Sequence, residues 1–162
     1  MDILFIQTGG TIDKDYPRFV KGYAFEISES AVERIIKKIN PLFRYQIISY
    51  IKKDSLDITI KDRKGLLDLC QQEKIKKIII THGTDTMIET AKSLQKIKNK
   101  TIILTGAFLP EKFKDSDAEF NLGCAIGAIC HASEGVYIAM NGIVERVENV
   151  KRNLKTGQFI CK

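Results

Sequence analysis

The chain has 162 residues, 44% hydrophobic and 28% charged, with a net charge of +6. At roughly 100–200 residues per domain this is one domain with room for a core, and the composition excludes disorder. No apolar run is long enough to span a membrane, and two histidines, His82 and His131, leave little scope for a zinc site or a serine–histidine hydrolase.

Ile3–Gln7 is an apolar run ended by Gly9-Gly10 and reads as a buried strand. Residues Asp13–Glu26 lack periodicity and form a long loop. Ser30 with Glu33 makes a capping box ahead of a helix carrying Val32, Ile35, Ile36 and Ile39. Tyr45–Ile51 is the second strand. Thr59 caps a helix that is expected to bury Ile60, Leu66, Leu67 and Cys70. Lys77–Thr81 is the third strand, its isoleucines suiting a sheet covered on both faces. A helix from about Asp85 to Ile97 follows, then a strand at Thr101–Leu104. Ser116 and Glu119 read as a second capping box. The helix behind it, Phe120 to about Cys130, is apolar nearly all round and is expected to be buried, with Gly123 and Gly127 allowing close approach. Val136–Met140 is the fifth strand, and Asn141–Lys162 is basic and irregular apart from a short strand at Gln158–Cys161. Strand and helix thus alternate in the manner of an α/β fold, a three-layer sandwich with a mainly parallel, flavodoxin- or Rossmann-like sheet.

Cys70, Cys124, Cys130 and Cys161 form no paired CxxC pattern, and Met1-Asp2 leads into the first strand without a signal-like segment. Reduced thiols and a cytoplasmic location are therefore expected. The lysines are dispersed and accompany no nucleic-acid-binding motif, so the charge reads as a solvated surface. Neither nucleic acid nor membrane is expected as a partner, and no metal or cofactor.

In parallel sheets ligands bind beyond the carboxyl ends of the strands. Those ends carry Thr8-Gly9-Gly10-Thr11-Ile12-Asp13, Asp54-Ser55-Leu56-Asp57, Thr81-His82-Gly83-Thr84-Asp85-Thr86, Thr105-Gly106-Ala107 and Asn141-Gly142. Taken singly, each glycine is a turn and each threonine a helix cap. Together they deliver hydroxyls, glycines and carboxylates to one rim. A nucleotide site is a poor fit, because the first turn reads GGTIDK rather than GxGxxG or GxxxxGK[ST].

Phe5–Ile12 and Ile80–Thr90 resemble the two signature motifs of bacterial-type L-asparaginases. Asp54–Asp57, Thr105–Ala107, Asp117–Gly123, Ala139–Gly142 and Val150–Asn153 continue the resemblance in order along the whole chain. It implies hydrolysis of a side-chain amide of L-asparagine, or of L-glutamine, by a threonine nucleophile. By that resemblance Thr11 is the nucleophile, and Tyr16 polarises its hydroxyl, with Tyr23 a rival. Thr84, Asp85 and a base from Val150–Asn153 form a second cluster. Backbone N–H groups at Gly10 and Thr84 hold the oxyanion. Ser55 and Asp85 hold the amino-acid end of the substrate, and Ala107 offers its carbonyl to the amide. Where the family's pattern has a lysine this chain has Arg152, with Lys151 beside it. Arginine does not lose its proton in proteins, so it cannot act as a base. Either Lys151 reaches the site after a one-residue shift or Arg152 serves as a fixed charge. The chain also resembles a standalone N-terminal domain of that family, as in short-chain asparaginases. A homodimer or dimer of dimers is then expected to cover the site. A weakened member that binds an amino acid without turnover is the alternative.

Overall fold

A computed structural model describes residues 1–16 and 25–162. Strand β1 (Asp2–Gly9) leads into a short turn of 3-10 helix at Thr11–Asp13, and β2 (Lys14–Asp15) pairs antiparallel with β3 (Glu26–Ile27). Then follow α1 (Ala31–Ile39), β4 (Arg44–Lys53), α2 (Ile60–Gln72) and β5 (Lys77–Thr81). Next come α3 (Met87–Leu94), β6 (Thr101–Thr105), α4 (Ala118–Ile129), β7 (Gly135–Met140) and β8 (Ile143–Arg146). A hairpin of β9 (Val150–Arg152) and β10 (Phe159–Cys161) ends the chain.

The main sheet runs β4-β1-β5-β6-β7-β8, with the first five strands parallel and β8 antiparallel to β7. Its alternating side chains feed two cores. Leu4, Ile6, Ile78, Ile80 and Leu104 face Leu66, Cys70, Met87, Ala91 and Leu94 of α2 and α3. Ile3, Phe5, Ile79 and Ile103 face Val32, Ile35 and Ile36 of α1, and Ala118, Leu122 and Ala125 of α4. Burial on both faces explains the unbroken isoleucine runs, and the three-layer α/β sandwich is as expected.

The crossover geometry departs from a simple flavodoxin-like arrangement. α3 and α4 lie in opposite layers, although β5, β6 and β7 step across the sheet in one direction. The β6–α4–β7 crossover therefore has the opposite hand to the other three, against a strong general preference. To reach the far layer, residues 106–117 pass back over the strand ends. Glu111 donates its N–H to Ile12 O at 3.2 Å, Lys112 meets Asp15 at 3.4 Å, and Arg34 of α1 holds Glu111 at 2.6 Å.

Several local expectations are corrected. α4 is not buried all round. Phe120 is 62% exposed, and a Cβ added at Gly123 or Gly127 would meet no atom within 4 Å, so neither glycine supports close approach. An apolar sequence set no face, and contact with β6 and β7 chose one. Ser116 and Glu119 do not form a capping box: Asp117 occupies the N-cap, Ser116 Oγ accepts from Ala118 N–H, and Glu119 pairs with Lys38 at 2.5 Å. The Ser30 box does not form: Ser30 caps α1 by accepting from Val32 N–H, and Glu33 turns to Lys37. Thr59 does make a full box, with Asp62, but Ile60 ahead of it is 85% exposed. The helix expected from Asp85 begins at Met87, and the segment after Asn141 is ordered into β8, β9 and β10.

Open space at a mid-helix glycine gives a measurable consequence. Gly123→Ala and Gly127→Ala should each stabilise the fold by about 0.5–1 kcal/mol in urea unfolding, through lower chain entropy and better helix propensity. Destabilisation by either would show that something packs against that face.

Candidate active site

The sheet reverses its winding between β1 and β5, because the chain leaves β1 toward α1 on one layer and β5 toward α3 on the other. Ligands of open α/β sheets bind at such switch points. Here the turn after each strand touches the next through glycine. Gly10 has φ of 85°, and a Cβ on it would lie 2.3 Å from Gly83 N. A Cβ on Gly83 would lie 2.7 Å from Ser55 Cβ. Thr11, Thr84 and Ser55 are thereby carried on adjoining backbones. Gly106 approaches His82 O in the same way and brings buried Ala107 to the rim.

Hydrogen bonds fasten these turns together. Thr8 Oγ1 donates to Thr81 O at 2.8 Å, His82 N–H to Thr105 O at 2.9 Å, and Thr86 Oγ1 to Ser55 O at 2.7 Å. Gly10 N–H donates to Lys53 O at 3.0 Å, which corrects the expectation that it faces an oxyanion: that donor is already engaged. Thr11 is half-buried and Thr84 is 9% exposed. Ser55 Oγ is buried without a partner among the described residues.

β9 decides between the two basic residues. Alternation along the strand sends Lys151 to solvent and Arg152 inward, where Arg152 Nη1 donates to Asp85 Oδ1 at 2.6 Å. Arg152 Nε also donates to Gly157 O at 3.1 Å, and the guanidinium lies 5.9 Å from the Phe159 ring centroid. It is a fixed cation held on three sides, while Lys151 is exposed.

Tyr16 is 67% exposed, its ring 4.8 Å from that of Phe25 at the base of the β2–β3 hairpin. The structure does not bring it into contact with Thr11, and Tyr23 lies outside the described residues. His82 is fully buried with Nδ1 2.7 Å from Gly83 O; burial pushes its pKa down to about 4, so the ring is neutral and structural.

Sequence reasoning missed the bracing of the Ala107 turn. The Asp117 carboxylate accepts from Phe108 and Leu109 N–H at 3.0 and 3.1 Å. Asn121 Nδ2 donates to Gly106 O at 3.0 Å and to Asp117 at 2.8 Å. Their i, i+4 spacing on α4 was the available signal. A groove of about 510 Å³ between α2 and α3, lined by Ile60, Arg63, Leu67 and Ser93, lies away from the strand ends. Its one guanidinium is bonded to Ile58 O, Thr90 and Glu89. Among the described residues no cluster of three or more His, Cys, Asp or Glu could hold a metal ion, and no helix is long and apolar enough to cross a membrane.

This is a switch-point site of an α/β protein, equipped with paired threonine turns. A family model described as "Asparaginase, N-terminal" matches residues 2–158, and the chain belongs to that family. It is 28% identical over 99% of its length to a glutaminase-asparaginase of Acinetobacter glutaminasificans, covering 53% of that protein. In structure it is similar to the thermostable L-asparaginase from Thermococcus kodakarensis, with a TM-score of 0.86 over 99% of this chain and 51% of that one, at 24% identity. It is also similar to a probable cytoplasmic L-asparaginase from Campylobacter jejuni, with a TM-score of 0.79 and 26% identity over 98% of this chain and 52% of that one. The chain spans about half the length of the curated relatives it matches.

The Gly10–Gly83 contact allows a direct test. Gly10→Ala adds a methyl against backbone at a left-handed φ, and should destabilise by about 3 kcal/mol or prevent folding. Wild-type stability of that variant in urea would show that the two turns are not in contact.

Proposed function

We propose that the chain is a single asparaginase-type domain that releases ammonia from L-asparagine, with L-glutamine the alternative amide. The observation that carries this reading is the Gly10–Gly83 contact, which sets Thr11 and Thr84 on adjoining turns at the switch point. Thr11 Oγ attacks the side-chain amide carbon. Its proton passes through the Tyr16 hydroxyl to the departing nitrogen, which leaves as ammonia. Water then attacks the ester, releasing the amino acid and restoring Thr11. A threonine hydroxyl is a poor nucleophile at its free pKa, so this relay is the essential part. Tyr16 is exposed, so its hydroxyl must swing inward to reach Thr11 when substrate binds. Tyr23 is the alternative relay.

The other groups bind rather than exchange protons. Ser55, with its unused hydroxyl, and Asp85 hold the carboxylate and ammonium of the substrate. Ala107 O accepts from the amide, and Thr84 N–H faces the developing oxyanion, an interaction worth a few kcal/mol in comparable sites. Arg152 orients Asp85 and Thr84 as a permanent charge. Small-ligand sites bury most of the ligand. A second copy of the chain is proposed to help enclose the substrate.

Arg152 also favours a second reading, in which the site binds an amino acid without turning it over, because the cation beside Asp85 cannot act as a base. An ammonia-release assay with L-asparagine, L-glutamine and D-asparagine, paired with calorimetric binding, separates the two. Thr11→Val preserves shape while removing the nucleophilic hydroxyl, and should lower release by about 1,000-fold or more with the fold intact. Near wild-type release from that variant would reject the assignment. Binding of L-asparagine by the wild type without release would establish the second reading instead.

A further inference from the structure

Asp13 ends the turn that carries Thr11, and none of the chemistry above uses it. It is wholly buried. Its N–H donates to Gly10 O at 3.2 Å, and its carbonyl accepts from Ser28 N–H at 2.9 Å. Its Oδ1 accepts from Ala31 N–H at 2.8 Å, at the first residue of α1. One residue thus joins the end of β1, the far side of the β2–β3 hairpin and a helix N-terminus. The hairpin begins at the next residue, Lys14, which pairs with Asp54 at 3.1 Å.

Among the described residues this carboxylate has no ion-pair partner. Arg34 of α1 is bonded to Glu111 at 2.6 Å and Lys52 of β4 to Glu29 at 2.9 Å. Gln7 of β1 gives its amide N–H to Ser28 O and accepts from Ser49. Asp13 Oδ2 and Arg34 Nη2 are both buried with no partner among the described residues. A buried carboxylate with one unsatisfied oxygen is costly, so its retention beside the Thr11 turn calls for a positional reason.

We propose that Asp13 is a positioning residue: its carboxylate fastens the Thr11 turn to the first turn of α1, and so sets the aim of Thr11 and the footing of the β2–β3 strand pair. This rests on the hydrolytic reading above. The ionised form makes the stronger bond to the N-terminal N–H of a helix. Burial raises its pKa to about 6, against the opposing pull of Ala31 N–H, Gln7, Arg34 and Lys52. The unfolded carboxyl titrates near 3.8, so between the two values the folded chain holds more protons. The stability this group contributes therefore falls as pH rises from about 4 to about 6 and is level above. Turnover moves the other way, rising through about pH 6 as the bond to Ala31 gains charge.

Two variants test the assignment. Asp13→Ala removes the acceptor and should lower kcat by about tenfold or more with KM little changed, the mark of a misaimed nucleophile. Asp13→Asn keeps an acceptor for Ala31 N–H, so it should recover most of that loss and abolish the step in kcat near pH 6. The proposal is overturned if Asp13→Ala keeps wild-type kcat while melting at a lower temperature. It is equally overturned if Asp13→Asn is no better than Asp13→Ala or retains the step. Should the wild type release no ammonia at all, the hydrolytic reading fails, and Tm across pH 4.5–6.5 still judges the buried clasp. Wild type should lose Tm relative to Asp13→Asn as pH rises; parallel curves would contradict it.

Discussion

The approach of Gly10 to Gly83 is the constraint on which the rest of the site depends. Two turns that leave β1 and β5 for opposite layers can touch only where neither has a side chain in the gap. Once they touch, the polar groups that follow are no longer independent loop residues. Thr11 inherits its place from Gly10, Thr84 from Gly83, and Ser55 from its own contact with Gly83. The bonds of Thr8 Oγ1 to Thr81 O and of His82 N–H to Thr105 O then hold the arrangement against the sheet. Rigid backbone supplies positional accuracy that flexible side chains would have to gain at an entropic cost.

The crossover of unusual hand has a role in the same design. By sending residues 106–117 back over the strand ends, it lays a braced segment against the Ile12 carbonyl and the base of the hairpin. Asp117 and Asn121, at the start of α4, secure the turn that carries Ala107. On the other flank, the β9–β10 hairpin presents Arg152 to Asp85. The rim is thus framed by the Asp117 brace beneath Ala107 and the Arg152–Asp85 ion pair on the other flank.

Much of this was legible before any coordinates. Apolar runs at Ile3–Ile6 and Ile78–Ile80 announce strands buried on both faces, and the residues after each strand announce a rim. What escaped depends on contacts between distant segments. An apolar α4 does not say which of its faces meets the sheet, so Gly123 and Gly127 were misread. Ser116 and Glu119 have cap-box spacing, but Asp117 competes for the N-cap and wins through Phe108 and Leu109 N–H. Neither Lys151 nor Arg152 can be chosen by composition; strand alternation in β9 makes the choice. The engagement of Gly10 N–H by Lys53 O likewise joins residues that only β1–β4 pairing brings together.

The central claim is that the glycine contact aims Thr11, and not Thr84, at a substrate amide. It is tested most directly by acid-quenching the chain during turnover with L-asparagine and mapping any ester adduct by peptide mass spectrometry. The account predicts an acyl ester on the peptide containing Thr11. Turnover with the adduct on Thr84, or with no adduct on either threonine under conditions that trap such esters, would contradict it.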